Sequence, residues 1–119
     1  MRAIYIVCSL LMLAFVGVQY NDPDWLMWGL IYLIPAVWAG LAAFRRELLK
    51  TASANRLLWV TVATGLAGVI AYWPSVDHWW VKEVWWKEET AREGMGMMMV
   101  FAVLLLVALT NRTGKPAQA

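Results

Sequence analysis

Four stretches of this chain, 3–20, 25–44, 57–73 and 94–110, run for 17 to 20 residues without a charged side chain. A helix needs roughly 17 to 25 such residues to cross a hydrocarbon core about 30 Å thick. Each stretch is long enough to span, and together they leave only short connections. None alternates apolar and polar residues as a barrel strand would, and a helix satisfies its own backbone groups in lipid. The expected fold class is all-α: an integral membrane four-helix bundle, forming one domain over 1–112 with a short mobile tail at 113–119. With 62% hydrophobic and 15% charged residues, the chain has too few polar side chains to coat a soluble globule.

Met1 and Arg2 ahead of an apolar stretch resemble the start of a secretory signal peptide. The stretch is read instead as the first span, because no small-x-small cleavage site precedes 19–21 and Cys8 lies too early to be a lipoprotein cysteine.

The charges then sort by side. Arg2, Arg45, Arg46, Lys50, Arg56, Arg112 and Lys115 fall in one set of segments with the single acid Glu47. Asp22, Asp24, Asp77, Glu83, Glu88, Glu89 and Glu93 fall in the other set with Lys82, Lys87 and Arg92. Basic residues concentrate on the cytoplasmic side of membrane proteins. Both termini are therefore expected in the cytoplasm, with the plasma (inner) membrane as the location. The connection 21–24 is so short that the first two helices must be an antiparallel pair. The segment 45–56 reads as a plain polar connector. Small residues four apart, Ala36 and Gly40, Thr61 and Gly65, Thr64 and Gly68, and Ala67 and Ala71, suit close helix approach within the bundle or across a dimer seam.

The residues with chemical potential gather at the acidic side. In Asn21-Asp22-Pro23-Asp24, Asp22 can cap the second helix, Pro23 can take its first position and Asp24 can sit favourably in the macrodipole. The same carboxylates and amide, held at a membrane boundary beside Gln19, can instead form an acidic site for a cation, a proton or a basic partner group. Before the last span, Glu88 and Glu89 stand four and three residues ahead of Arg92, so one guanidinium can serve two carboxylates. Arg92 and Glu93 lie so near the apolar run that unpaired charge becomes costly, and Arg92 is within reach of Asp22 or Asp24. The expected polar site is thus Gln19, Asn21, Asp22, Asp24, Glu89, Arg92 and Glu93.

The segment 74–93 carries Trp79, Trp80, Trp85 and Trp86 at spacings that a helix can gather on one side, opposite Lys82, Glu83, Lys87 and Glu88. An interfacial amphipathic helix is expected there. With Trp25, Trp28 and Trp73 these tryptophans would form an aromatic anchor at the boundary, where an apolar ring with a polar N–H is favoured. A platform for a carbohydrate or quinone headgroup is the functional alternative.

Other chemistries find little footing. The single histidine, His78, would need Asp77 and a distant acid to hold a metal. Met95, Met97, Met98 and Met99 invite a copper(I) reading through soft thioethers, yet methionine is commonly a packing residue. Ser9 and Cys8 lie inside the first span, far in sequence from any base. No catalytic residue, metal, cofactor or nucleic-acid partner is expected; the expected partners are membrane lipids and a larger membrane protein or complex.

Gln19-Tyr20-Asn21-Asp22-Pro23-Asp24, followed by Trp28 and Tyr32 and later by Glu89, Arg92, Glu93 and Gly94, resembles the transmembrane protein 220 family. Its small four-span members carry a Gln-x-Asn-Asp-Pro-Asp motif and a Glu-x-x-Arg-Glu motif before the last helix. The resemblance implies architecture and two motif regions, with no particular activity. The tryptophan-rich connection and the methionine run are departures. A mere helix cap would tolerate Ser or Thr at Asp22 and give Asn21 and Asp24 no reason to accompany it, so the resemblance strengthens the case for a site.

These observations point to a non-catalytic accessory or assembly subunit. The rival is a membrane-embedded enzyme or metal-binding protein working on a lipid or quinone headgroup through Asp22, Asp24, Glu93 and Arg92. The orientation is directly testable. In a Cys8→Ser background, a Ser53→Cys variant should react with an impermeant thiol reagent only after cells are opened. Rapid labelling in intact cells would overturn the topology.

Overall fold

The structure is a computed structural model that describes residues 1–21, 23–75 and 77–113, with the backbone alone for residues 21, 85, 86, 90, 112 and 113. The chain forms α1 (Arg2–Val18), a 3-10 turn (Gln19–Asn21), α2 (Trp25–Phe44), α3 (Arg46–Leu49), α4 (Ala52–Ala71), α5 (Lys82–Lys87) and α6 (Glu89–Thr113). No strand occurs among the described residues. α2, α4 and the 91–111 portion of α6 are long and apolar enough to cross a membrane. At 17 residues, α1 is a shorter apolar helix.

Several boundaries differ from those expected, for local reasons. α4 begins at Ala52 rather than near 57 because Thr51, extended at φ −71° and ψ 150°, accepts from the Ala54 N–H at 3.3 Å. A capped end lets Ser53, Asn55 and Arg56 join the helix. The supposed plain connector also holds the one-turn helix α3, tied to that cap by the Thr51 hydroxyl donating to the Leu48 carbonyl at 2.8 Å. α6 starts at Glu89, so the whole Glu-x-x-Arg-Glu motif is helical. α2 starts at Trp25 with Asp24 as its N-cap residue, and the Asp24 side chain does not cap the helix. Pro23 therefore precedes the helix instead of opening it. Asp22 lies outside the described residues.

Where the sequence leads one to expect an interfacial helix within 74–93, the only separate helix before α6 is the six residues of α5 among the described residues. Trp79 and Trp80 lie on the preceding turn, where His78 takes a left-handed φ of 56°. A side chain in that region interrupts a right-handed helix. The two indoles pack edge to face with each other, and Trp79 also packs against Trp73.

α2 and α6 form the middle of the molecule. α1 lies along α2 and α4 lies along α6. The central pair supplies most of the buried residues, including Ala36, Ala39, Ala42 and Ala43 from α2 and Val100, Val103, Leu104, Val107 and Ala108 from α6. Some expected small-residue positions are used internally. Gly65 receives Leu104 and Phe101, Gly68 receives Met97, and Gly40 receives Ser9. Thr64, Ala67 and Ala71 face outward, as do Val60, Leu66 and Ile70. Such an apolar exterior suits a chain whose solvent is hydrocarbon.

Polar bonds fix the basic end. Arg2 Nε donates to the Ala43 carbonyl at 2.9 Å and its guanidinium covers the Phe44 ring, which confirms that α1 and α2 are antiparallel. Tyr5 of α1 shares a hydrogen bond with Thr110 of α6. Buried Asn111 donates to the Leu49 carbonyl at 2.9 Å and to Asn55 Oδ1 at 3.3 Å, joining α6 to α3 and α4. On the exposed turn, Arg45 donates to Glu47 at 2.6 Å and holds that carboxyl below the usual carboxylate range.

Candidate functional site

At the opposite, acidic end, α1, α2 and α6 part to leave a half-open cavity of about 530 Å³. Its walls follow from helical spacing. Phe15, Val18 and Gln19 stand at i, i+3 and i+4 along the end of α1 and the following turn, and Trp28 and Tyr32 stand four apart on α2. From α6 come Glu89, Arg92, Glu93, Met95, Gly96 and Met99. Residues so spaced share one helix face.

The lining mixes polar Gln19, Glu89, Arg92 and Glu93 with aromatic and thioether side chains, of which Phe15 and Met99 lie one to two turns further along their helices from the acidic end. Glu89 and Arg92 are exposed, while Gln19 and Glu93 are half-buried. Gln19 is oriented by its own amide, which donates to the Phe15 carbonyl at 3.1 Å. An aromatic row runs beside the cavity. Phe15 contacts Tyr32 at 5.3 Å between ring centroids, Tyr32 lies 6.1 Å from Trp28, and Trp28 meets Tyr72 edge-on at 5.2 Å.

Two glycines let α6 approach its neighbours closely at this end. A Cβ at Gly96 would overlap the Tyr32 hydroxyl, so only glycine lets that ring lie against α6. A Cβ at Gly94 would come within 2.5 Å of both Pro74 and the Tyr72 carbonyl, where the chain leaving α4 crosses α6.

Trp28 is the distinctive member of the site. Expected as a boundary anchor, it is instead 2% exposed, and its indole N–H has no acceptor among the described residues. Leaving a buried donor unsatisfied costs about 1–3 kcal/mol. The other anchor residues divide: Trp25, Trp73 and Trp80 are exposed and Trp79 is half-buried, while the side chains of Trp85 and Trp86 lie outside the described residues.

Of the expected polar site, Gln19, Glu89, Arg92 and Glu93 come together around one cavity. Asp24 is exposed at the start of α2, and Asn21 is placed by its backbone alone. Phe15, Val18, Met95 and Met99 were not singled out as lining residues. Their only sequence signal is the shared spacing with Gln19 and Arg92. Met95 and Met99 line the cavity, whereas Met97 is buried against Gly68. His78 is exposed and stacks on Trp80. Among the described residues, no three His, Cys, Asp or Glu side chains are grouped to hold a metal ion.

Three apolar helices of membrane-crossing length, with a cavity set at one end of their packing, define an integral, multi-pass membrane protein. A family model described as transmembrane family 220, helix, matches residues 10–109. The chain belongs to that family, as the motif resemblance implied. No solved structure matches it.

The tight approach of α2 to α6 gives a specific expectation. Gly96→Ala should lower stability in detergent by about 1–3 kcal/mol through overpacking. Combining it with Tyr32→Phe, which removes the overlapping hydroxyl, should recover more than half of that loss. Additive losses in reversible unfolding would contradict the contact.

Proposed function

We propose that this chain is a four-span, non-catalytic accessory subunit of the plasma (inner) membrane, with both termini cytoplasmic and the acidic-end cavity as its working site. α1 serves as the fourth span, because flanking Arg2 and the turn at Gln19–Asn21 let its 17 apolar-rich residues reach both interfaces with little mismatch. The acidic end then faces outward, and the cavity mouth lies at headgroup level.

One observation carries this reading. Gln19 from the first motif and Glu89, Arg92 and Glu93 from the second border a single cavity that is otherwise lined by apolar and aromatic side chains. A mostly apolar pocket with a few convergent polar groups is the usual form of a small-molecule site. Here it supports uptake of an amphiphile from the outer leaflet, held for a larger membrane complex to which the chain contributes. α5 and the exposed Trp25, Trp73 and Trp80 would steady this end at the boundary.

Purification of the full chain from its native membrane in mild detergent tests the proposal. The expected result is one tightly held lipid per chain together with a stoichiometric membrane-protein partner. A tightly held divalent ion with turnover of a lipid or quinone headgroup would favour the enzyme instead. Recovery of neither lipid nor partner would overturn the accessory reading.

A further inference from the structure

We infer that α2 is hinged at Pro35, so that the half at the basic end, 35–44, is fixed in the bundle while the half at the acidic end, 25–34, tilts against α6 and gates the cavity.

The hinge begins with covalent chemistry. Pro35 stands inside α2 and has no N–H, so the helical bond from residue 35 to the Ile31 carbonyl cannot form. Its ring also crowds that carbonyl, and sharp helix bends concentrate at such residues. A membrane helix tolerates a proline where its neighbours support the weakened turn. In α2 that support lies on one side.

Within 35–44, Pro35, Ala36, Trp38, Ala39, Ala42 and Ala43 are buried, whereas within 25–34 only Trp28 and Tyr32 are. The polar bonds divide in the same way. Ser9 Oγ donates to the Ala36 carbonyl at 2.8 Å, one residue past the proline, and Arg2 Nε donates to the Ala43 carbonyl. Among the described residues, no side-chain hydrogen bond ties 25–34 to a neighbouring helix. A segment with few buried contacts and no such ties opens at a lower free energy than the core. Leu26, Met27, Leu30, Leu33 and Ile34 are exposed on this half, so its tilt breaks little besides the contacts of Trp28 and Tyr32.

Tyr32 is the catch. Its ring occupies the space that a side chain at Gly96 would need, and it packs on Phe15 and Trp28. Tyr32 and Trp28 both line the cavity, so a tilt of this half changes the cavity's width. The closed form also carries a cost, because the Trp28 N–H is buried with no acceptor among the described residues. Movement toward the wet boundary relieves it. Ring packing on α6 and the unmet donor therefore oppose one another, as a two-state element requires. Residues 25–34 cover about 15 Å of helix, so a change of roughly 20° at the proline carries their far end through about 5 Å.

The hinge requires the cavity wall and no particular occupant, so it goes beyond the accessory role and does not fall with it. Paired spin labels on the full chain in lipid nanodiscs, in a Cys8→Ser background, read the motion as distance distributions by double electron–electron resonance. Met27→Cys with Ile70→Cys reports on the acidic end, and Val37→Cys with Val60→Cys reports on the fixed half; all four positions are exposed. The first pair should show two components separated by about 5 Å, and the second a single narrow one. Pro35→Ala should remove the displaced component from the first pair. The second pair should stay unchanged in that variant, which also shows that the bundle has assembled. Gly96→Ala, with Pro35 in place, should crowd Tyr32 and raise the ratio of displaced to closed forms at least about fivefold.

A single narrow distribution for Met27 and Ile70, a displaced component that survives Pro35→Ala, or equal breadth in both pairs overturns the hinge. If Pro35→Ala does not assemble, Gly96→Ala decides. No rise in the displaced component there overturns the inference.

Discussion

The packing of α2 against α6 is the contact on which the other helices depend. Lipid supplies no hydrophobic drive between membrane helices, so their association rests on close packing and a few polar bonds. Ala36, Ala39, Ala42 and Ala43 give α2 a shallow buried face, and α6 presents Val100, Val103, Val107 and Ala108. Nearer the acidic end the same approach requires Gly96, because Tyr32 occupies the space of a side chain there. α1 and α4 then flank the central pair, with α1 along α2 and α4 along α6.

This arrangement makes the cavity possible. Hydrogen bonds from Arg2, Tyr5 and Asn111 tie the helices together at the basic end. At the acidic end α1 follows α2, and the cavity separates it from α6. The resulting space receives the start of the first motif and the start of α6 together. Gln19 and Arg92, 73 residues apart in the chain, thus border one volume.

The helical class, the antiparallel first pair and the gathering of Gln19 with Glu89, Arg92 and Glu93 at one end of the helices were legible in the sequence. Charge-free runs announce spans, and Gln19, Glu89, Arg92 and Glu93 stand out because polar groups at a lipid boundary are costly without a purpose. The apolar lining was not legible. In a soluble protein, periodicity separates a buried face from a wet one, but in lipid both faces are apolar. Phe15, Val18 and Met99 therefore carry no sign of whether they meet lipid, a neighbouring helix or a cavity. Trp28 was assigned to the boundary belt for the same reason, since a tryptophan near a span end suits either place. The interfacial helix was overextended because amphipathic spacing at 79–86 gives no warning of the left-handed turn at His78. The Thr51 cap hid in a segment whose Ser, Thr and Asn content suits a loop equally well.

The central claim is that the two motif regions meet around one space between α1 and α6. Paired cysteine cross-linking in native membranes tests it most directly, using Gln19→Cys and Glu93→Cys together in a Cys8→Ser background. The account predicts efficient bridging by a short bifunctional maleimide within a single chain. Absence of bridging, although a monofunctional maleimide labels each cysteine alone, would contradict it.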